Sequence, residues 1–402
     1  MCFMLFIILS LFLVLEAKKE VYSITKQRIR KYSYKGAFKM SKLDAMHIHS
    51  FRGLTDVALK NFSRINLFVG ENNAGKTSLL ESIYLMANYS TKQGFTRLAR
   101  MREQYYLPIV RVTSTEELVH WLFNETVKPI EINFDILGKS HYIHCSLMEE
   151  EFYVVSGGLE EEIDPLEDNE QIVKDQTITI YENKEKQGLP VVHRLVNSME
   201  KQMEPIKKER DLFKCHFISA IDHRVTPLSP YLIDDLVKDG ERPALIEALQ
   251  QFDEEIEGIE LLMSNDRNRR NRPIPYIQHK SLGLVPISMF GDGVRKALVI
   301  ASQVIRYKGG IVLIDEIETG IHTKLIPVFF TWLSEICAKY DVQLFATTHS
   351  LEALDGMLKA SERDFNQLSV YRLGAAEKRN QIKYFSGEKL KVLRYELGQD
   401  VR

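Results

Sequence analysis

A glycine-rich segment near residue 70 carries the clearest chemical pattern in the chain. It fits G-x-x-x-x-G-K-[ST] in full and reads Gly70-Glu71-Asn72-Asn73-Ala74-Gly75-Lys76-Thr77, with Ser78 next. In such a loop backbone N–H groups wrap phosphate oxygens, the lysine reaches the β and γ phosphates, and the threonine hydroxyl binds magnesium. The segment follows a predicted strand (65–69) and precedes a predicted helix (78–86), as such a loop requires. The sequence therefore predicts a nucleoside triphosphate site built from Gly70, Asn72, Asn73, Ala74, Gly75, Lys76, Thr77 and Ser78.

Two acidic residues follow a short apolar run later in the chain. Residues 311–314 are all aliphatic, and Asp315 and Glu316 come directly after them. A buried parallel strand delivers such residues to its carboxyl end, where α/β sheets bind ligands. We expect Asp315 to hold magnesium together with Thr77, and Glu316 to polarise the attacking water.

Two further segments are candidates for contact with the phosphates. His349 follows a predicted strand (343–347) and could donate a hydrogen bond to the γ phosphate; the alternative is a histidine that only caps the strand. Gly291 and Gly293 flank Asp292 at the start of a predicted helix (292–307), which leaves N–H groups open to an anion. The alternative there is an ordinary helix cap.

The order of these motifs resembles the ATP-binding-cassette type of ATPase. Phe51-Arg52-Gly53 followed by residues 69–78 is similar to the RecF, SMC and OLD-nuclease branch, in particular to its short stand-alone AAA family ATPases of bacterial anti-phage, abortive-infection and toxin–antitoxin-like systems. The resemblance implies ATP and Mg²⁺ as ligands, ATP hydrolysis and an α/β P-loop head with a mostly parallel sheet. Two segments depart from the pattern: FGDG replaces the LSGGQ-type signature, and residues 317–322 replace the usual loop after the catalytic glutamate. The stretch after His349 is too short for a Toprim nuclease domain, so none is expected.

The motifs lie at both ends of the chain, which predicts a divided head. We expect head segments at 44–90 and 281–402, with a large α+β insertion at 91–280 between the P-loop and the signature. Within the insertion, residues 130–145 and 176–181 are predicted to be strands and residues 234–252 a helix. A further helix is predicted at 325–340.

Residues 1–43 are a doubtful extension. The apolar run from Cys2 to Leu15 is shorter than the ~20 residues of a spanning helix, and it lacks the basic region of a signal peptide. We expect translation to begin at Met40 or Met46, with a membrane anchor as the alternative. A cytoplasmic protein without a stable membrane partner is the corresponding expectation.

Composition excludes several classes of protein. The 402 residues carry a net charge of −2, so there is no overall attraction to DNA or to an anionic membrane. Four scattered cysteines without a CxxC pair argue against a disulfide framework and fit a reducing compartment. A local basic run can still contact nucleic-acid phosphates or an acidic partner, the alternative being a solvated turn at a hairpin tip; it comprises Arg267, Arg269, Arg270 and Arg272.

His47 and His49 place two imidazoles on one face of a predicted strand (46–51). Because no carboxylate or cysteine accompanies them in the sequence, we expect a structural pair rather than a metal site.

The single P-loop bears on assembly. By resemblance, Gly291 and Gly293 of one subunit close over ATP held by Lys76 of another, in a homodimer, a higher oligomer or a pair with a second ATPase. Three functions follow as hypotheses: a conformational switch that controls a protein effector, a DNA-repair or chromosome-type ATPase that acts on DNA, and a sensor that binds nucleotide without turnover. The absence of coiled-coil heptads and the modest charge argue against the second, and Glu316 argues against the third.

Overall fold

The computed structural model describes residues 43–105, 114–123, 128–155, 170–182, 191–195, 212–225, 229–263, 273–374 and 381–402. Its strands are β1 (Leu43–Phe51), β2 (Leu54–Lys60), β3 (Ile65–Gly70), β4 (Ile130–Ile136), β5 (Lys139–Val155), β6 (Glu170–Glu182), β7 (Val191–Leu195), β8 (Cys215–Ile218), β9 (Ile256–Met263), β10 (Pro273–His279), β11 (Gly283–Pro286), β12 (Ile311–Ile314), β13 (Gln343–Thr347), β14 (Leu368–Leu373) and β15 (Ile382–Ser386). Its α-helices are α1 (Lys76–Asn88), α2 (Lys92–Arg100), α3 (Thr115–His120), α4 (Asp222–Val225), α5 (Pro230–Lys238), α6 (Arg242–Gln250), α7 (Asp292–Arg306), α8 (Ile326–Lys339), α9 (Leu351–Ala360) and α10 (Gly387–Lys391).

A mostly parallel sheet carries the sequence motifs. Its strand order is β15-β14-β3-β13-β12-β8, and every neighbouring pair is parallel except the edge pair β14 and β15. Strands β3, β12 and β13 are buried along their whole length, as expected of parallel strands covered on both faces. The predicted α/β P-loop fold with a mostly parallel sheet is confirmed.

The two faces of this sheet belong to different parts of the core. On β3, Leu67 joins a cluster with residues of α7, α8 and α9, whereas the next residue, Phe68, packs with residues of α1 and of β1 and β4. This alternation follows from the two-residue period of a strand. Helix α1 is therefore held between the parallel sheet and a second sheet, which fixes the loop that precedes it.

The second sheet is antiparallel. Its order is β2-β1-β4-β5-β6-β7, and a three-stranded sheet of order β11-β10-β9 stands apart from it. Strands β4 to β7 come from the predicted insertion, but β8, from the same stretch of sequence, pairs with β12 in the parallel sheet. We therefore propose the division into head and insertion with β8 assigned to the head.

Two predicted elements are wrong in extent. Residues 130–145 form a hairpin instead of a continuous strand, because Leu137 and Gly138 adopt positive φ angles of 52° and 71° and turn the chain. Residues 234–252 form the end of α5 and all of α6 instead of one helix. Gly240 with φ 82° ends the first of these helices, and Pro243 lies in the first turn of the second.

Other sequence predictions fall beyond the described residues. The apolar N-terminal run belongs to residues 1–42, and the four arginines belong to residues 264–272, between the antiparallel strands β9 and β10. Among the helices that the structure describes, none is both long and apolar enough to cross a membrane.

Candidate nucleotide-binding and catalytic site

The glycine-rich loop joins β3 to α1, and its glycines are required by geometry. Gly70 and Gly75 have φ angles of 139° and 95°, which L side chains rarely adopt. A Cβ at Gly70 would lie 2.6 Å from the main-chain oxygen of Leu373, and one at Gly75 would lie 2.8 Å from a methyl carbon of Leu54. The loop is thus pressed between β14 and β2, while Asn72 and Asn73 are exposed.

Lys76, the first residue of α1, is folded back into this loop. Its Nζ donates to the main-chain oxygens of Gly70 and Glu71, both at 2.8 Å. Burial lowers the pKa of Lys76, and the negative charges of Asp315 and Glu316 oppose that shift. A cation held within a loop of backbone N–H groups at a helix N-terminus fits a polyphosphate.

Asp315 follows β12 and meets Thr77 of α1. The Thr77 Oγ1 donates to the Asp315 carboxylate, with distances of 3.1 and 3.2 Å to its two oxygens, and Thr347 Oγ1 donates to Oδ1 at 2.5 Å. Burial raises the pKa of Asp315, while the hydrogen bonds from Thr347 and Thr77 oppose that rise. A buried carboxylate beside a hydroxyl is the donor set that Mg²⁺ takes together with phosphate oxygens, so the residues fit the ion.

Glu316 is the next residue and has a strained backbone. Its φ is 45°, in the left-handed region that non-glycine residues seldom occupy. The Glu316 N–H donates to Thr347 Oγ1 at 2.8 Å, and Thr319 Oγ1 donates to Glu316 Oε2 at 3.1 Å. Thr347 therefore holds both acidic residues of the pair through one hydroxyl.

A second glutamate lies close to the predicted histidine. Glu318 Oε1 accepts from the main-chain N–H of His349 at 3.3 Å and lies 3.9 Å from its Nδ1. The Glu318 side chain is 12% exposed, whereas that of His349 is 48% exposed. The structure thus brings His349 to the acidic cluster through Glu318.

Helix α7 begins with the two glycines of the FGDG segment. Gly291 is the N-cap residue and has no side-chain cap, and a Cβ there would meet no described atom within 4 Å. Arg224 Nε donates to Asp292 at 2.7 Å, and Arg295 also pairs with this carboxylate. Burial raises the pKa of Asp292, but these arginines more than offset it and hold it below its usual range. The helix start is therefore open and carries net positive charge.

The atoms that a Cβ on Gly293 would meet belong to Phe252 and Gly320, and none of them belongs to the P-loop of the same chain.

Lys296, one turn into α7, is buried with 1% exposure. Its Nζ donates to the main-chain oxygens of Glu316 at 3.0 Å and Thr319 at 2.8 Å. Burial lowers its pKa to about 7, although Glu318 and Glu316 oppose that shift. The sequence did not single out Lys296, because the FGDG pattern indicates a site at the start of the helix and not one turn into it. No local pattern predicts that a lysine is buried.

Two family models match parts of this chain. Residues 41–222 match the family model described as "AAA ATPase domain", and residues 207–355 match that described as "AAA domain, putative AbiEii toxin, Type IV TA system". The chain is 23% identical to an "ATP/GTP phosphatase" of Helicobacter pylori, over 80% of this chain and 90% of that protein.

Two further similarities concern the RecF and SMC proteins. The chain is 36% identical to "DNA replication and repair protein RecF" of Pediococcus pentosaceus over 24% of each protein. Among solved structures, an SMC head bound to the C-terminal winged-helix domain of ScpA aligns with a TM-score of 0.48 and 14% identity, over 87% of this chain and 99% of that one.

Proposed function

We propose that this chain is an ATP-driven conformational switch that controls a partner protein, and its matches to two AAA ATPase family models support that proposal. In this proposal ATP closes two subunits on each other, and hydrolysis reopens them. The observation that carries the proposal is the hydrogen bond from Lys296 to the Glu316 carbonyl, because it joins the helix that we propose to face a partner subunit to the segment that we propose to perform hydrolysis.

The P-loop residues hold the triphosphate in this scheme. Lys76 leaves the carbonyls of Gly70 and Glu71 and turns to the β and γ phosphates, and the N–H groups of residues 72–78 bind phosphate oxygens. The exposure of Asn72 and Asn73 leaves room for the nucleotide above the loop.

Hydrolysis is assigned to the acidic pair. Mg²⁺, held by Thr77 and Asp315, would neutralise charge that develops on the phosphates. Glu316 accepts a hydrogen bond from the attacking water and orients it, and Thr347 keeps the Glu316 backbone in place. His349 donates to the γ phosphate while Glu318 anchors its backbone.

The open start of α7 supports assembly of two copies. Gly291 presents uncapped N–H groups, and the surrounding charges are net positive. An anion bound there benefits from the helix dipole and from the arginines. Since Gly293 lies beside Gly320 and not the P-loop, we propose that it meets the γ phosphate of ATP held by the partner subunit, in a homodimer or higher oligomer.

The match to the AbiEii-type family model supports a toxin-type or anti-phage setting with a protein effector. Direct action on DNA was the alternative from the sequence. Its candidate arginines lie outside the described residues.

The proposal is tested with Glu316→Gln. We measure the ATPase rate and, by light scattering, the mass with ATP and with ADP. The variant should retain ATP, hydrolyse it roughly 10²–10⁴-fold more slowly, and accumulate as an ATP-dependent dimer or larger species. Lys76→Ala should show neither ATP binding nor assembly.

Glu335→Gln is the matched control, since Glu335 is an exposed carboxylate of α8 that pairs with Arg363 at the surface. It should behave as the parent protein. A parent and a Glu316→Gln variant that both stay monomeric with saturating ATP would exclude the switch. An ATPase rate that rises strongly with DNA would instead favour the DNA-dependent alternative.

A further inference from the structure

The hairpin of β1 and β2 brings two imidazoles and a carboxylate together. The potential ligand atoms of His47, His49 and Asp56 all lie within 4.8 Å of one another. His47 Nε2 is 2.7 Å from Asp56 Oδ1, and the two imidazole centroids are 4.0 Å apart. The sequence indicated no carboxylate beside the histidine pair; strand pairing supplies one.

Backbone geometry places Asp56 in this cluster. The pairs Ile48↔Val57 and Ser50↔Thr55 set Asp56 directly across from His49. Asp56 adopts a φ of 54°, which is uncommon inside a strand. This conformation brings the Asp56 carboxylate to His47, which lies two residues before His49 on the same face of β1. One carboxylate oxygen therefore lies near both rings.

A third strand fixes the second imidazole. Asn133 of β4 has its side-chain nitrogen 2.7 Å from Nε2 of His49. Histidines that ligate metals commonly donate their other ring N–H to an outer acceptor, which orients the ring. With the Asn133 amide turned so that its oxygen faces the ring, Nε2–H of His49 donates to it and Nδ1 keeps the lone pair that a metal ion needs. The β4 strand thus provides the support that a ligating His49 needs.

We propose that His47, His49 and Asp56 form a binding site for a divalent transition metal ion, with Zn²⁺ as the ion that suits them best. Two imidazole nitrogens and one carboxylate oxygen are a ligand set of Zn²⁺, with a fourth position left to water. Two protonated imidazoles would repel each other, whereas two neutral ones can share a metal.

The position of the site gives the ion a structural consequence. The tip of the same hairpin carries Arg52, whose guanidinium is 2.8 Å from Glu81 of α1, and Leu54, which lies against Gly75 of the P-loop. A metal ion joining β1 to β2 therefore braces the hairpin that presses on the nucleotide loop.

The test uses the full chain, free of any tag and dialysed against a chelator, without nucleotide. Zn²⁺ is titrated by calorimetry and Co²⁺ by its visible absorption, which reports the coordination geometry. The parent should bind one ion at this site. His49→Ala and Asp56→Asn should each weaken that binding by at least about a hundredfold. Loss of an outer-shell partner costs up to about a hundredfold, and loss of a direct ligand should cost no less. Asn tolerates the backbone conformation of Asp56, so this variant keeps the hairpin intact.

His144→Asn is the matched control, because His144 pairs with Glu131 at 3.0 Å on the same sheet but has no second histidine in that pair. It should bind Zn²⁺ as the parent does. Lys76→Ala should also bind the ion normally, which separates this site from the proposed nucleotide switch. If the parent and Asp56→Asn give equal Zn²⁺ titrations, and thermal unfolding shows that both proteins are folded, the proposal is overturned.

Discussion

The ammonium group of Lys296 lies 3.0 Å from the main-chain oxygen of Glu316 and donates a hydrogen bond to it. Glu316 is the residue with the strained φ of 45°, and a strained conformation persists only where neighbours hold it. Lys296 and Thr347 are two such neighbours, one from α7 and one from β13. A shift of α7 therefore reaches the acidic pair through a single buried side chain.

Replacing Lys296 with Met should separate binding from turnover. Met keeps much of the aliphatic volume of the side chain but cannot donate to the oxygens of Glu316 and Thr319. We expect the ATP affinity to stay within a few-fold of the parent and kcat to fall by about 10- to 100-fold, because misplaced catalytic groups lose rate steeply. Steady-state kinetics with a separate nucleotide-binding titration measures both. An unchanged kcat would show that Lys296 has no part in positioning Glu316.

The pKa of Lys296 predicts a pH dependence of stability. Burial lowers it from the ordinary 10.5 to about 7, so between these values the unfolded chain binds a proton that the folded chain does not. The free energy of unfolding contributed by this group therefore rises with pH from about 7 to about 10. Thermal unfolding of the parent and of Lys296→Met should diverge in favour of the parent as pH increases across that window. A constant difference in Tm would contradict the prediction.

Thr347 is predicted to matter through its hydroxyl alone. Thr347→Val preserves shape but removes the donor to Asp315 and the acceptor for the Glu316 N–H, both buried. We expect kcat to fall about tenfold or more and the requirement for Mg²⁺ to rise, as measured by a metal titration of the ATPase rate. Thr348→Val serves as the control, since the Thr348 hydroxyl accepts from Ser350 and not from the acidic pair. Similar losses in both variants would indicate general destabilisation.

The sequence predicted those parts of the site that local pattern determines. The P-loop is one continuous segment, and so is the Asp315–Glu316 pair. The residues next to each segment predict the strand or helix that positions it. The roles of Thr347 and Lys296 depend instead on which strand lies beside β12 and on which face of α7 is buried. Asp56 entered the histidine pair only through the register of β1 with β2. Gly240 and Pro243 indicate a break between two helices, but the helical periodicity on either side of them favoured one continuous helix over residues 234–252.

Glu81 on α1 is expected to be a stability determinant. It is fully buried between Arg102, at 2.7 Å, and Arg52, at 2.8 Å. Burial lowers the pKa of Arg52 to about 10, and the charge of Glu81 opposes that shift. Glu81→Ala should reduce the free energy of unfolding by about 3–5 kcal/mol, because it leaves a buried charge without its partner. Chemical denaturation tests this, with Glu335→Ala at the surface expected to change stability by about 1 kcal/mol or less.

Glu318 and Glu316 both lie close enough to Lys76 to affect its charge, and comparing their amide variants assigns the catalytic base. Glu316 is adjacent to Asp315 and shares Thr347 with it, whereas Glu318 is tied to the backbone of His349. If Glu316 orients the water, Glu316→Gln should lower kcat by roughly 10²–10⁴-fold. Glu318→Gln should lower it by about tenfold or less, because the amide still accepts from the His349 N–H. Single-turnover rates at saturating ATP separate the chemical step from product release. A reversed order, with Glu318→Gln the slower enzyme, would transfer the role of base to Glu318 and leave Glu316 as a residue that shapes the loop.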